Sequence, residues 1–138
     1  MSPKLFKVMV SILVVLTIAG VVSLVLILNG SAKGNGELSL DKKVEYSFTT
    51  SEMNTDLKDG SFVRIQFQFM MDSKKAKEEI QKREFQIKNI LIKQSVSMTE
   101  QDFRGGLTEL EEKMKTEINK LMNDGKVEEV YIISKILQ

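Results

Sequence analysis

The stretch Phe62-Val63-Arg64-Ile65-Gln66-Phe67-Gln68-Phe69-Met70-Met71 places Ile65, Phe67, Phe69 and Met71 on one side of an extended chain and Arg64, Gln66 and Gln68 on the other. Side chains alternate between the faces of a strand, so this is a strand with one buried and one wet face. Such a pattern fits a sheet covered by helices on one side only. Asp59-Gly60, just before it, supplies a turn. The aromatic stripe is read as core rather than as a platform for a ligand.

Downstream, the apolar period changes from two to about 3.6. Ala76, Ile80, Ile87, Ile90 and Leu91 share a stripe, which predicts one long amphipathic helix from Lys74 to about Ser97. Thr99 followed by Asp102 is a weakened capping box that opens a further helical turn. Gly105-Gly106 interrupts the pattern, and Leu110, Met114, Ile118 and Leu121 mark a second helix. That helix is expected to end at Asn123-Asp124-Gly125, with Gly125 as its left-handed cap. In the closing segment, 127–137, Val130, Ile132 and Ile136 alternate with Tyr131, Ile133 and Leu137, which predicts a strand covered on both faces. Upstream, residues 44–50 alternate loosely and predict a short strand. The order strand, strand, helix, helix, strand defines an α/β (α+β) domain over 44–138, one small sheet against two helices, with no internal repeat.

Toward the amino terminus the composition changes abruptly. Residues 8–28 carry no charge, and 15 of the 21 are Val, Ile or Leu. As a helix this run is about 30 Å long, the thickness of a bilayer's hydrocarbon core, and it is read as a transmembrane helix. A cleaved signal peptide is the rival reading, because Gly30-Ser31-Ala32 offers small residues at a cleavage spacing, but its apolar region should be only about 7 to 15 residues long. Lys4 and Lys7 precede the run and the next charge is Lys33, so residues 1–7 are expected in the cytoplasm and the domain outside. Residues 29–43, rich in Gly and small polar residues at their start, are read as a flexible linker.

Chemistry is scarce in this chain. It has neither histidine nor cysteine, which removes disulfides, thiolate catalysis, the usual neutral-pH proton shuttle and all transition-metal sites except those built from carboxylates alone. Setting Lys4 and Lys7 aside from a net charge of +1 leaves −1 for the remainder, too weak a field to hold nucleic acid. Glu78 with Lys82, and Glu109 with Lys113, sit four apart and read as surface pairs. Glu111 and Glu112 are neighbours on a helix and point apart, which disfavours an acid and base pair. Gly34-Asn35-Gly36 lacks the Gly-Lys-Ser/Thr signature of a phosphate loop and is read as linker. A Ser/Lys pair stays open, since lysines are everywhere. No catalytic, cofactor or metal residue is assigned, and the eight methionines are read mainly as flexible packing.

The arrangement resembles the flagellar basal body-associated FliL family over most of the chain. The shared parts are the membrane helix, the small-residue linker, the strand Val63-Arg64-Ile65-Gln66-Phe67-Gln68-Phe69, and the helix carrying Glu78-Glu79-Ile80-Gln81-Lys82-Arg83 and Ile87-Lys88-Asn89-Ile90-Leu91-Ile92. After Ser97-Met98-Thr99-Glu100-Gln101-Asp102 and the second helix, Gly125-Lys126-Val127-Glu128-Glu129-Val130-Tyr131-Ile132-Ile133 resembles the family's closing strand. Phe103-Arg104-Gly105-Gly106 keeps only the outline of the family's Leu-Arg-Thr-Pro-x-Gly connection. The resemblance implies a non-enzymatic accessory of the flagellar motor in the cell membrane at the basal body. Its external domain would be similar to the stomatin/prohibitin (SPFH) domain and would self-associate into rings around ion-conducting stator units. It would hold the stator's plug or linker region in the active arrangement, supporting torque, motility and chemotaxis. The helix faces 74–88, with Glu78 and Glu79, and 109–120 are the expected contact candidates. The alternatives are a membrane-anchored envelope sensor or a scaffold for another membrane complex.

Overall fold

The computed structural model describes residues 2–31 and 37–138, in two units, Met1–Glu37 and Leu38–Gln138. The first unit is helix α1, Pro3–Ser31. Proline fits the first helical position, where its missing N–H costs nothing. Ser11 and Thr17 donate their hydroxyls back to the carbonyls of Lys7 and Leu13 at 2.9 and 2.8 Å, so these polar groups of the apolar run are satisfied within the helix. Pro3–Leu26 is long and apolar enough to cross a membrane.

The expected linker differs from what is observed. Helix α1 runs through Asn29, Gly30 and Ser31, and residues 32–36, including Gly34-Asn35-Gly36, lie outside the described residues. Residues Leu40–Glu45 form a short helix, α2, whose N-cap Ser39 accepts the Lys42 N–H. Val44, expected to open a strand, is therefore helical, and α2 lies within the compact unit that begins at Leu38.

In the second unit the long strand β3 (Phe62–Met71) is central. The closing strand β4 (Val127–Leu137) pairs antiparallel with β3 along one edge. On the other edge two short strands, β1 (Ser47–Thr49) and β2 (Met53–Asp56), lie end to end against it. The gap between them is a bulge: Thr50, Ser51 and Glu52 stand opposite only Gln66 and Phe67. Thr50, 2% exposed, stitches it. Its N–H donates to the Phe67 carbonyl at 2.9 Å, its hydroxyl accepts the Phe67 N–H at 3.1 Å, and its carbonyl accepts from the Gln66 amide at 2.8 Å. β4 bulges as well, once at the same level, between the partners of Gln66 and Phe67, and once between those of Met70 and Met71.

Four helices follow β3: α3 (Lys74–Lys82), α4 (Glu84–Ser95), α5 (Glu100–Gly105) and α6 (Leu107–Asn119). Their apolar faces meet one face of the sheet in a single core in which Ile65, Phe67, Phe69, Ile80, Ile87, Met114 and Ile118 are fully buried. The Phe67 and Phe69 rings lie 6.0 Å apart and tilted by 50°, and each contributes about 2 to 3 kcal/mol by leaving water. Thr99 and Asp102 form a complete, reciprocal capping box at the start of α5. Gly106 starts α6, where an added Cβ would come within 2.7 Å of the Asp102 carbonyl oxygen.

The single helix expected over 74–97 is two helices that meet at Arg83. Neither Pro nor Gly marks the break. Its position matches the bulge in the sheet: α3 lies against β1 and α4 against β2, and the Glu84 carboxylate accepts both the N–H and the hydroxyl of Ser51 at 2.6 and 2.7 Å. Gly125 is not a helix cap, since α6 ends at Asn119 with its C-cap Lys120 in ordinary helical conformation. Gly125 instead turns the chain into β4 with φ of +131° beside Asp72. The face assignment in β4 also changes. The bulges turn Val127, Val130, Ile132 and Leu137 toward the core and leave Tyr131, Ile133 and Ile136 exposed, so β4 is covered on one face, not two.

Three substitutions test this arrangement in urea titrations of the full chain in detergent. Gly125→Ala should cost about 2 kcal/mol or more, because it adds a contact 2.5 Å from the Asp72 carboxylate to a positive φ, whereas Gly60→Ala, with φ of +86° and open space around it, should cost only about 1 kcal/mol. Glu84→Ala removes two charge-assisted hydrogen bonds at the bulge and should cost about 1 to 3 kcal/mol. Equal losses at the two glycines, or a neutral Glu84→Ala, would contradict the geometry.

Candidate interaction surfaces

Among the described residues no three acidic side chains converge as metal ligands would, and each buried side-chain polar atom has a hydrogen-bond partner. The distinctive features lie on the surface and in the contacts that shape it.

The first candidate face, 74–88, holds a structural hub. Glu79 accepts the backbone N–H groups of Asn123 and Asp124 at 3.0 and 2.7 Å and pairs with Arg83 at 2.7 Å. Its side chain is only 10% exposed. Burial alone would raise its pKa, but the Asp124 N–H, the Arg83 guanidinium and the Asn123 N–H together hold it below the ordinary glutamate range. The helix pair here is Glu79 with Arg83, while Glu78 stays exposed. Reversing both glutamates would therefore break the loop after α6 as well as change the surface.

On the second face, 109–120, Glu109 and Lys113 pair at 3.0 Å as their spacing predicts. Such exposed pairs are worth well under about 1 kcal/mol. Glu111 and Glu112 do point apart: Glu112 lies 3.9 Å from Lys115, whereas Glu111 accepts the backbone N–H of Ile132 at 2.8 Å. That N–H belongs to the edge of β4 that no strand among the described residues covers, so Glu111 occupies a donor which an open edge would otherwise present to another chain. Asp59 forms a further link that the sequence hid. Its carboxylate accepts the N–H groups of Glu100 and Ser61 at 2.9 and 3.1 Å, tying the turn before β3 to the start of α5, and the first of these bonds leads in lowering its pKa.

Among the described residues of the second unit, three surface regions are apolar. On α4, Phe85, Ile92 and Val96 face away from the core. On the outer side of the sheet, Phe62, Tyr131, Ile133 and Ile136 are exposed, and on α2 so are Leu40 and Val44. The α4 group was legible as spacings of seven and four residues, but the stronger stripe of Ile87, Ile90 and Leu91 masked it.

This geometry defines a small α+β domain carried on the same chain as a helix apolar enough to cross a membrane. A family model described as Flagellar basal body-associated protein FliL matches residues 45–138. The Flagellar protein FliL of Bacillus subtilis (strain 168) is 34% identical over 110 residues, covering 78% of this chain and 79% of that protein. The chain belongs to the FliL family of flagellar basal body-associated proteins.

The Glu79 hub makes a pH-dependent prediction. A carboxyl group whose folded value lies below its unfolded one stabilises the fold above the unfolded value, about 4.3, and that contribution is lost as pH falls through the lower folded value. Glu79→Gln should therefore lower stability at neutral pH and make the decline below about pH 4.3 shallower than in the parent. Parallel urea titrations across pH 3 to 7 check this, and an unchanged acid limb would contradict it.

Proposed function

We propose that this protein is a non-enzymatic accessory of the flagellar motor that assembles beside or around the stator units and stabilises their active form. The observation that carries this reading is the family match over residues 45–138, which hold the sheet and the four helices after β3, on a chain that also holds a membrane-length helix. In this reading α1 spans the cell membrane, the positive residues Lys4 and Lys7 keep the amino terminus in the cytoplasm, and the domain works outside as a single SPFH-like module. The role is mechanical: copies of the domain form a ring that supports the extended arrangement of the stator's external segment under load, sustaining torque for swimming, swarming and chemotaxis. An interaction role suits a chain without histidine or cysteine whose distinctive features are surfaces.

Crosslinking of the full chain in native membranes of flagellated cells tests this directly. Stator subunits and further copies of the chain should be recovered, and recovery of neither from cells with assembled motors would overturn the reading. A reporter active only in the cytoplasm, fused after Gln138, should be inactive, and activity there would reverse the topology.

A further inference from the structure

Two faces of the domain are apolar, unpartnered and opposite in charge. On α4, Ile87, Ile90 and Leu91 are buried, and with successive residues about 100° apart around the helix axis Phe85, Ile92 and Val96 occupy the reverse side. They are 72%, 40% and 59% exposed. Lys88 and Lys93 flank this stripe on either side, and among the described residues neither forms an ion pair. On the outer side of the sheet, Tyr131, Ile133 and Ile136 are 46%, 46% and 45% exposed. Glu128 and Glu129 at the start of β4 are likewise outside the ion pairs of the described residues, and Glu129 accepts the Tyr131 hydroxyl at 2.5 Å, which holds its carboxylate beside this apolar patch. The cation on this side, Arg64, is already engaged by Asn54 at 3.3 Å and Glu52 at 3.9 Å.

We propose that the domain self-associates head to tail, with the Phe85, Ile92 and Val96 face of α4 in one copy seated on the Tyr131, Ile133 and Ile136 face of β4 in the next. Lys88 and Lys93 then meet Glu128 and Glu129. This rests on the assembly reading above and deepens it by naming the two surfaces. The helices cover one side of the sheet and the β4 face is the other, so the two patches point in opposite directions. A contact between them is heterologous: each copy keeps one free face and the assembly propagates instead of stopping at a dimer. A second copy also satisfies both faces at once. An anionic lipid surface would attract only the lysine-flanked stripe and leave the acidic, apolar β4 face bare.

Because the chain lacks cysteine, introduced thiols are unique. In the full chain in its native membrane, Asn89→Cys combined with Ser134→Cys should give a ladder of multimers on bismaleimide treatment, and either single variant should give none. Adding Lys88→Glu and Lys93→Glu should reduce the ladder at least about fivefold, a loss of about 1 kcal/mol, and further adding Glu128→Lys and Glu129→Lys should restore it. A dimer from Asn89→Cys alone would make the contact symmetric and overturn the proposal, as would failure of the charge swap to restore. If a lysine-reactive crosslinker captures multimers of the parent chain while the double thiol variant gives no ladder, these faces are overturned and self-assembly stands. No multimers with either reagent overturns self-assembly itself. Quenching of a fluorophore on the Asn89→Cys thiol by a lipid-borne quencher, in place of a ladder, assigns the α4 face to the membrane and overturns the proposal.

Discussion

Strand β3 is hydrogen-bonded along both edges, and the break in the ladder at Gln66 and Phe67 sets the position of nearly everything else. A bulge leaves backbone groups without their regular partners, and a buried group left so costs about 1 to 3 kcal/mol. Thr50 avoids that cost by accepting from the Phe67 N–H through its hydroxyl and donating to the Phe67 carbonyl. With the edge strand divided at this level, the helical layer divides too. α3 follows β1, α4 follows β2, and Glu84 at the first turn of α4 binds Ser51 in the bulge. The second bulged neighbour, β4, changes face at the same level and leaves Tyr131, Ile133 and Ile136 on the outside.

This constraint also explains what could be read from the chain alone. The alternation in β3, the closing strand Val127–Leu137, the capping box at Thr99 and the apolar stripes of the helices are local periodicities or caps, and each stands where the sequence placed it. The features that were missed depend on partners far away in sequence. Nothing near Arg83 announces a helix break, because its cause is a bulge some thirty residues earlier. β2 has four residues and no clear alternation beyond Met53 and Thr55. Gly125 carries the glycine signature of a cap but is required by Asp72 and Ser73 beside it. The exposed side of β4 could not be assigned without knowing its two bulges, since one extra residue exchanges the faces of a strand.

For function, the fold separates two kinds of polar residue. Glu79, Glu84, Glu111 and Asp59 each accept backbone N–H groups from distant segments and hold the domain together. Lys88, Lys93, Glu128 and Glu129 do not take part in ion pairs among the described residues, and they border exposed apolar side chains. The first set answers for stability; in the second, Glu129 is held beside the apolar patch by the Tyr131 hydroxyl, and the other three are open to partners among the described residues. This division suits a protein of the FliL family that we propose acts through contacts with neighbours in the membrane rather than through chemistry of its own.

The central claim is one of place: the domain stands outside the membrane at the stator units. Cryo-electron tomography of flagellar motors, averaged from cells with and without this chain, measures that place directly. The account predicts density around each stator unit on the outer side of the membrane that disappears with the chain and returns with its expression. Identical averages, or density lost elsewhere in the basal body, would contradict it.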